Sequence, residues 1–139
     1  MNNFRYQACL NIIQMSKIIQ DQFRSELKKA DLTFTELSVL VSLEHIEKQA
    51  IQQITQSVSL TSGALTYILD KLEKKELLIR IPCNSDRRVI FVQLTDKGKY
   101  LIHSILPNLH NLADAQFNLL TMDDADKLEK FVSDISSKE

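Results

Sequence analysis

The sequence predicts a mainly α-helical fold with one small β-hairpin. Apolar residues recur at helical spacing on both sides of residues 78–94, while that stretch itself holds two β-branched runs around a polar loop. Turn residues are also scarce, since the 139 residues include only two Gly and two Pro, which disfavours an all-β fold. The length predicts a single domain over residues 1–139 with a full hydrophobic core.

The first predicted element is a long helix over residues 4–30. Its apolar stripe includes Ile12, Met15, Ile19 and Leu27, and Ile13 and Ile18 broaden it. A helix of this length spans about 39 Å, which exceeds what one small domain needs. The excess length indicates that part of the stripe is covered by something other than the core of the same chain.

Three shorter helices are predicted over residues 33–75. Thr33 is placed to cap the first of them, with Glu36 as its capping-box partner, and this helix is expected to end near Glu47. A short helix over 51–58 follows, and after a tight turn at 59–61 an amphipathic helix runs from Ser62 to about residue 75. The predicted apolar stripe of this last helix consists of Leu65, Ile68, Leu69 and Leu72.

The sequence period then changes from that of a helix to that of a strand. Residues 78–81 and 89–94 are β-branched runs, and Pro82 should end the first of them because it cannot donate to a strand ladder. The loop between the two runs contains Arg87 and Arg88, so we expect a β-hairpin with a basic tip.

Two helices are predicted to complete the chain. Thr95 should cap a helix over about 96–120 that Pro107 kinks. Thr121 and Asp124 form a capping box at the start of a last helix that extends to about residue 137.

The composition excludes several classes of protein. No apolar run is long enough to span a membrane, and the first residues carry no basic and apolar pattern of a secretion signal. Two cysteines are too few for a disulfide framework, so we expect a soluble protein of the reducing cytosol. The three histidines lie far apart, no metal-ligand spacing occurs and no Gly-rich phosphate loop is present, so neither an enzyme nor a cofactor is expected.

Positive charge is concentrated in the third quarter of the chain, although the net charge is only −1. Residues 60–99 hold eight basic and five acidic side chains, whereas residues 121–139 hold three basic and six acidic ones. A local basic cluster, and not the total charge, attracts nucleic acid. On charge alone, a solvated helix face is the favoured explanation of such a cluster.

The order of elements over residues 33–94 predicts a helix-turn-helix followed by the basic hairpin. The second helix of such a unit enters the major groove of DNA, and its exposed face here is small or polar. The candidate DNA contacts are Thr61, Ser62, Gly63, Thr66, Tyr67 and Lys71. Any amphipathic helix has a polar face, so this feature by itself also fits a protein-binding surface.

The hairpin strengthens the interpretation. An Arg at the tip of a loop fits a narrow minor groove, and Asp86 is placed to orient the guanidinium of Arg87 or Arg88 through paired hydrogen bonds. An isolated surface ion pair is the alternative for these three residues. The helix-turn-helix and the basic hairpin together are more specific than either alone.

The chain resembles the MarR family of winged helix-turn-helix regulators. The resemblance rests on residues 62–75, on Leu78-Ile79-Arg80, on the sequence Asp86-Arg87-Arg88 and on Leu94-Thr95-Asp96-Lys97-Gly98. It implies that Arg88 enters the minor groove, that Asp86 braces the hairpin and that Arg87 lies near phosphate. Glu76 departs from the family, because many members have Gly there, and this implies a differently capped end of the preceding helix.

The resemblance also implies a homodimer built from the helices at 4–30 and 96–137, with residues 33–94 as the DNA-binding region. Such a dimer would bind double-stranded DNA as a repressor. It would read a pseudo-palindromic operator whose two half-sites lie about one helical turn apart. The alternative is a helical dimeric protein-interaction module without specific DNA binding.

The controlling signal is suggested only by resemblance. Many family members respond to a phenolic ligand or to oxidation of a cysteine, and the chain resembles the branch that responds to quinones and catechols. Phe23, Phe34 and Ile13 are candidates for a ligand site, or else are plain core. Cys9 is spaced like the reactive cysteine of the hydroperoxide-sensing branch, with an inert buried thiol as the alternative. Cys83 in the polar loop is a second candidate thiol.

Overall fold

A computed structural model of the protein describes residues 3–58 and 60–138, so Ser59 of the predicted turn lies outside the described residues. The described chain is mainly helical and carries one small antiparallel sheet, as predicted. Its elements are α1 (Phe4–Lys28), α2 (Phe34–Ser42), β1 (Gln49–Ala50), α3 (Ile51–Val58), α4 (Ser62–Lys74), β2 (Leu78–Pro82), β3 (Ile90–Leu94), α5 (Asp96–Gln116) and α6 (Met122–Ser136).

The sheet has the strand order β1-β3-β2, and both pairings are antiparallel. Strands β2 and β3 form the predicted hairpin, with Leu78 opposite Leu94 at the base and Pro82 opposite Ile90 near the tip. Strand β1 is an addition to the prediction: Gln49 and Ala50 pair with Val92 and Phe91. Two residues are too few to show strand alternation in a sequence, which explains why β1 was missed.

The core is formed by apolar side chains that face one another across the helices and the sheet. Sequence periodicity identified those of α4 correctly, since Leu65, Ile68, Leu69 and Leu72 are all buried. The remaining fully enclosed apolar side chains are Leu27, Val39, Leu40, Leu43, Ile54, Leu78, Val92 and Ile102.

Most predicted helix starts are confirmed, but two predicted ends are wrong. Thr33, Thr95 and Thr121 each accept a hydrogen bond from the backbone of the turn they precede. Helix α2 ends at Ser42 and not near Glu47, because the chain must turn to bring β1 against β3. Helix α5 continues through Pro107 and ends at Gln116, before the turn that leads into α6.

The described residues divide into two compact units, and the division falls between Leu109 and His110, where the sequence suggested a single domain. The first unit contains α1, the DNA-binding elements proposed from the sequence and most of α5. The second contains the end of α5 and all of α6, none of whose side chains is buried. Within the described part of the chain, no helix is long and apolar enough to cross a membrane.

Exposed apolar stripes occur in both units. In the first unit, α1 leaves Tyr6, Leu10 and Ile13 open to solvent along one side. In the second unit, α6 exposes Phe131 and Ile135 along one side. Large apolar side chains that recur at helical spacing and remain exposed mark surfaces that bind another molecule.

Candidate nucleic-acid interface

Helix α4 begins at a threonine cap that leaves its first turn open to solvent. The Thr61 hydroxyl oxygen accepts a hydrogen bond from the backbone N–H of Ala64 at 3.2 Å. The Thr66 hydroxyl donates to the carbonyl of Ser62 at 2.9 Å, so only its acceptor positions remain for another molecule. Thr61, Ser62 and Thr66 are all exposed.

The side of α4 opposite the core forms a continuous surface, which we call the outer face. At 100° per residue it consists of Gly63, Thr66, Tyr67, Asp70 and Lys74. Tyr67 is 66% exposed. At Gly63, an added Cβ would meet no atom within 4 Å, so the start of the helix allows a close approach by another molecule.

Both acidic residues of α4 form ion pairs with one arginine of the hairpin. Arg80 in β2 donates from its guanidinium to the carboxylate of Asp70 at 2.6 Å and to that of Glu73 at 2.7 Å. The single positive charge of Arg80 offsets one of the two negative charges that would repel phosphates near the outer face. They also fix α4 to the hairpin, so the helix and the hairpin present their surfaces as one body.

The lysines on the other edge of α4 are held by helix α2. Lys71, a DNA contact suggested by the sequence, lies 2.9 Å from the Glu36 carboxylate, and Lys75 lies 3.1 Å from the same group.

The prediction of a reciprocal capping box at Thr33 is therefore wrong in one half. Glu36 provides its backbone N–H to the cap, but its side chain points to α4, where it finds two cations.

The tip of the hairpin holds one arginine in a defined orientation. Asp86 accepts hydrogen bonds from the backbone N–H of Arg88 at 3.0 Å and from its guanidinium at 3.2 and 3.4 Å. These bonds, the backbone one foremost, lower the pKa of Asp86. The predicted role of Asp86 in orienting a guanidinium is confirmed, and the arginine is Arg88, whose side chain is 90% exposed. Arg87 beside it is exposed as well.

The two cysteines differ in their surroundings. Cys83 begins the hairpin loop, and its sulfur lies 3.2 Å from the hydroxyl of Ser85. Hydrogen bonds from Ser85 and from the backbone of Ser85 and Asp86 lower the pKa of the Cys83 thiol. Cys9 on α1 is exposed in the single chain, so the alternative of an inert thiol buried within its own chain is wrong.

The candidate ligand residues line surface cavities beside α1. Phe23 and Phe34 share a cavity of about 350 Å³ with Ile12, Met15 and Ile19. Ile13 lines a neighbouring cavity with Ile12. None of Phe23, Phe34 and Ile13 is buried, so the alternative of plain core is wrong for all three. Ile13 and Phe23 lie on α1, whereas Phe34 is the first residue of α2.

The end of α4 corrects one expectation. Glu76 adopts a φ of 62°, the left-handed conformation in which glycine is most common, and Leu77 N–H bonds to the carbonyl of Leu72. The helix therefore closes in the way a glycine would close it. The Thr95 hydroxyl donates to the Glu76 carbonyl at 2.6 Å, which supports this conformation from the start of α5.

Sequence reasoning missed three functional positions, namely Glu36, Lys75 and Arg80. Each acts through a partner on another element, at separations of seven to 39 residues. No periodicity or spacing connects such residues. The sign of the charges was the only available signal. Two carboxylates on a helix that is proposed to face DNA would repel phosphates, so a cation is expected close to them.

Comparison with known proteins places the geometry in context. The model of the MarR family matches residues 32–90. The chain is 40% identical over 108 residues to the HTH-type transcriptional regulator MhqR of Bacillus subtilis (strain 168). The aligned region covers 78% of this chain and 74% of that protein.

Two solved structures share the fold at 25% sequence identity. One is a cysteine-to-serine mutant of MarR from E. coli complexed with operator DNA, with a TM-score of 0.76 and coverage of 97% of this chain and 99% of that chain. The other is NadR in complex with 4-hydroxyphenylacetate, with a TM-score of 0.78 and coverage of 94% and 92%. The predicted fold class is confirmed, as is the expectation of a regulator instead of an enzyme.

Proposed function

Since this chain belongs to the MarR family of DNA-binding transcriptional regulators, we propose that it is a homodimeric repressor of the cytoplasm that reads a pseudo-palindromic operator. Helix α4 enters the major groove and the hairpin tip enters the adjacent minor groove. The observation that carries the proposal is the Asp86–Arg88 contact, which presents a nearly fully exposed guanidinium on a hairpin tied to α4 through Arg80.

The outer face of α4 divides the contacts by chemistry. Ser62 offers a hydroxyl to phosphates or base edges, Thr66 offers acceptor positions to donors on base edges, and Thr61 lies beside them at the start of the helix. Gly63 leaves room for the sugar-phosphate backbone. Tyr67 provides a ring for contact with a thymine methyl or a sugar.

The exposed apolar stripes support the proposed dimer. A protein of this size has enough core to fold, yet α1 and α6 leave large apolar side chains uncovered, including Phe4, Phe131 and Ile135. A second copy of the chain would bury them and supply a second α4. Two such helices about 34 Å apart would match successive major grooves on one side of DNA.

The test of DNA recognition is a titration of the protein at several salt concentrations. One duplex contains the DNA upstream of the gene that encodes the protein, and the other is a scrambled sequence. We expect tight, salt-sensitive binding to the upstream region. Arg88→Ala should lose about tenfold or more on that duplex, in line with about 1–3 kcal/mol for a specific contact. Arg87→Ala should weaken both duplexes and lower the salt slope by about 0.9, the value for one phosphate contact.

Lys127→Ala serves as the matched control for these arginines, because Lys127 lies on α6 and forms an exposed ion pair with Asp123. It removes one positive charge without touching α4 or the hairpin, which are the elements proposed to contact DNA. Its DNA-binding curves should therefore follow those of the wild type. Binding that survives the loss of Arg88 unchanged would contradict the proposal. It would favour a dimeric protein-interaction module.

We further propose that a small aromatic molecule releases the repressor from DNA. The cavity containing Phe23 and Phe34 is of a size that holds a small ligand, and its lining is almost entirely apolar. The structure of NadR, which shares the fold, was solved in complex with the aromatic acid 4-hydroxyphenylacetate. Phe23→Ala should abolish release by an active phenolic compound while leaving DNA binding intact. Release that is unchanged in this variant would place the ligand elsewhere.

Thiol chemistry is the second candidate signal. The lowered pKa of Cys83 favours its reactive thiolate form, and Asp86 three residues later holds Arg88. Oxidation or alkylation of the sulfur would therefore disturb the hairpin tip. DNA binding before and after treatment with a quinone or an organic hydroperoxide tests this in wild type, Cys9→Ser and Cys83→Ser. Release that persists in both variants would exclude a thiol sensor.

A further inference from the structure

Glu36 is a buried carboxylate that joins two helices of the DNA-binding region. Its side chain is only 2% exposed, although it lies in the first turn of α2. A charge in such a position is stable only when it is paired and hydrogen-bonded. Its partners are Lys71 on α4 and Lys75, the C-cap residue of that helix, one for each carboxylate oxygen.

The two lysines satisfy this carboxylate in different ways. Lys71 approaches Oε1 at 2.9 Å, and Lys75 approaches Oε2 at 3.1 Å while also donating to the carbonyl of Asp31. Burial raises the pKa of Glu36, but the hydrogen bonds and charges of the two lysines outweigh burial and leave that pKa lowered. The carboxylate is therefore ionised at neutral pH and binds both cations.

Lys71 lies at the edge of the surface proposed to face DNA. It follows the outer-face residue Tyr67 by one helical turn, and its Nζ is 5.7 Å from the centre of the Tyr67 ring. Its side chain is 40% exposed, so the amine is within reach of solvent yet directed to Glu36. A lysine at this place would normally contact a phosphate through its mobile ammonium group.

We propose that Glu36 is a positioning residue for DNA recognition: it fixes α4 against α2 and withholds Lys71 from the phosphate backbone. This inference rests on the proposed function. A lysine that binds phosphate adds affinity for every sequence, whereas contacts of the outer face distinguish sequences. By holding Lys71, Glu36 lowers the sequence-independent part of the affinity for DNA, so that binding depends more on the contacts of the outer face.

The direct test is Glu36→Gln in the full-length protein, titrated against the upstream duplex and a scrambled duplex at several salt concentrations. Glutamine keeps the shape of the side chain but cannot hold two lysines by charge. We expect binding to scrambled DNA to become steeper in salt by about 0.9, the increment for one new phosphate contact. We expect the same increase in salt slope on the upstream duplex, because a phosphate contact does not distinguish sequences.

Asp123→Asn is the matched control. Asp123 pairs with Lys127 at 3.0 Å on α6, so this substitution also removes one carboxylate and frees one lysine. The net charge changes by the same amount, but the freed lysine does not lie on α4. A steeper slope in Glu36→Gln and not in Asp123→Asn would support the proposal. An equal change in both variants would show a general effect of charge and overturn it.

Lys71→Gln provides a test that does not depend on the folding of Glu36→Gln. Because Glu36 withholds Lys71, the salt slope of this variant should equal that of the wild type. A slope that falls by about 0.9 would show that Lys71 contacts phosphate in the native protein and would overturn the inference. In Glu36→Gln with Lys71→Gln, the slope should return to the wild-type value. Failure of the wild type to bind the upstream duplex would instead refute the proposed operator.

Discussion

Gly98 is predicted to be essential for the packing of α5 against the hairpin, and Gly98→Ala tests this. Gly98 lies in the first turn of α5, where a Cβ would come within 2.1 Å of the carbonyl oxygen and 3.0 Å of the carbonyl carbon of Leu77. It would also lie 3.3 Å from a methyl group of Leu94. The backbone at Leu77 must therefore move, since no flexible side chain can give way.

The expected loss of stability follows from three contributions. Overpacking against a rigid neighbour costs about 1–3 kcal/mol, and the upper part of this range applies because the contact is with backbone. The displaced Leu77 carbonyl accepts a hydrogen bond from Thr95 N–H at 3.1 Å, and weakening that bond costs about 1 kcal/mol. Alanine offsets at most about 1 kcal/mol through its greater helix propensity. The free energy of unfolding should fall by about 2–3 kcal/mol.

Urea and thermal denaturation followed by circular dichroism at fixed protein concentration would measure this loss. For a chain of this length, about 2–3 kcal/mol corresponds to a decrease in Tm of about 8–12 °C. Gly63→Ala is the matched control, because an added Cβ meets nothing within 4 Å there and should raise stability by at most about 1 kcal/mol. Equal stability of Gly98→Ala and the wild type would refute the packing at Leu77.

Three further predictions concern stability and assembly. Glu76→Gly should raise the free energy of unfolding by about 0.5–1 kcal/mol, measured by urea denaturation, because glycine adopts the observed φ of 62° without strain; lower stability would contradict this account. Phe131→Asp should convert the dimer to monomer in sedimentation velocity, and a dimer that persists would exclude this part of α6 from the interface. The lowered pKa of Glu36 stabilises the fold above its ordinary value of 4.5, and this contribution is lost as pH falls through the folded-state pKa. Urea midpoints of Glu36→Gln should therefore change less than those of the wild type below pH 4.5, and parallel curves would refute the linkage.

Local chemistry in the sequence was sufficient to predict most elements and part of the candidate site. The cap at Thr121 and the stripe of α4 were predicted because each depends on residues within one or two turns of helix. A contact between Asp86 and one of the two following arginines was predicted for the same reason, and the structure shows that this arginine is Arg88. Interactions of this range are encoded by spacing alone.

The tertiary structure decided what each charged or apolar side chain does. Lys71 has the sequence position of a DNA contact, yet α2 brings a buried carboxylate to it from 35 positions away. Arg80 has the pattern of a strand residue, yet it pairs with both acidic residues of α4. Phe34 has the hydropathy of core, yet it remains exposed beside a cavity. Hydropathy and charge determine what a side chain requires, whereas the packing of distant elements determines which group meets that requirement.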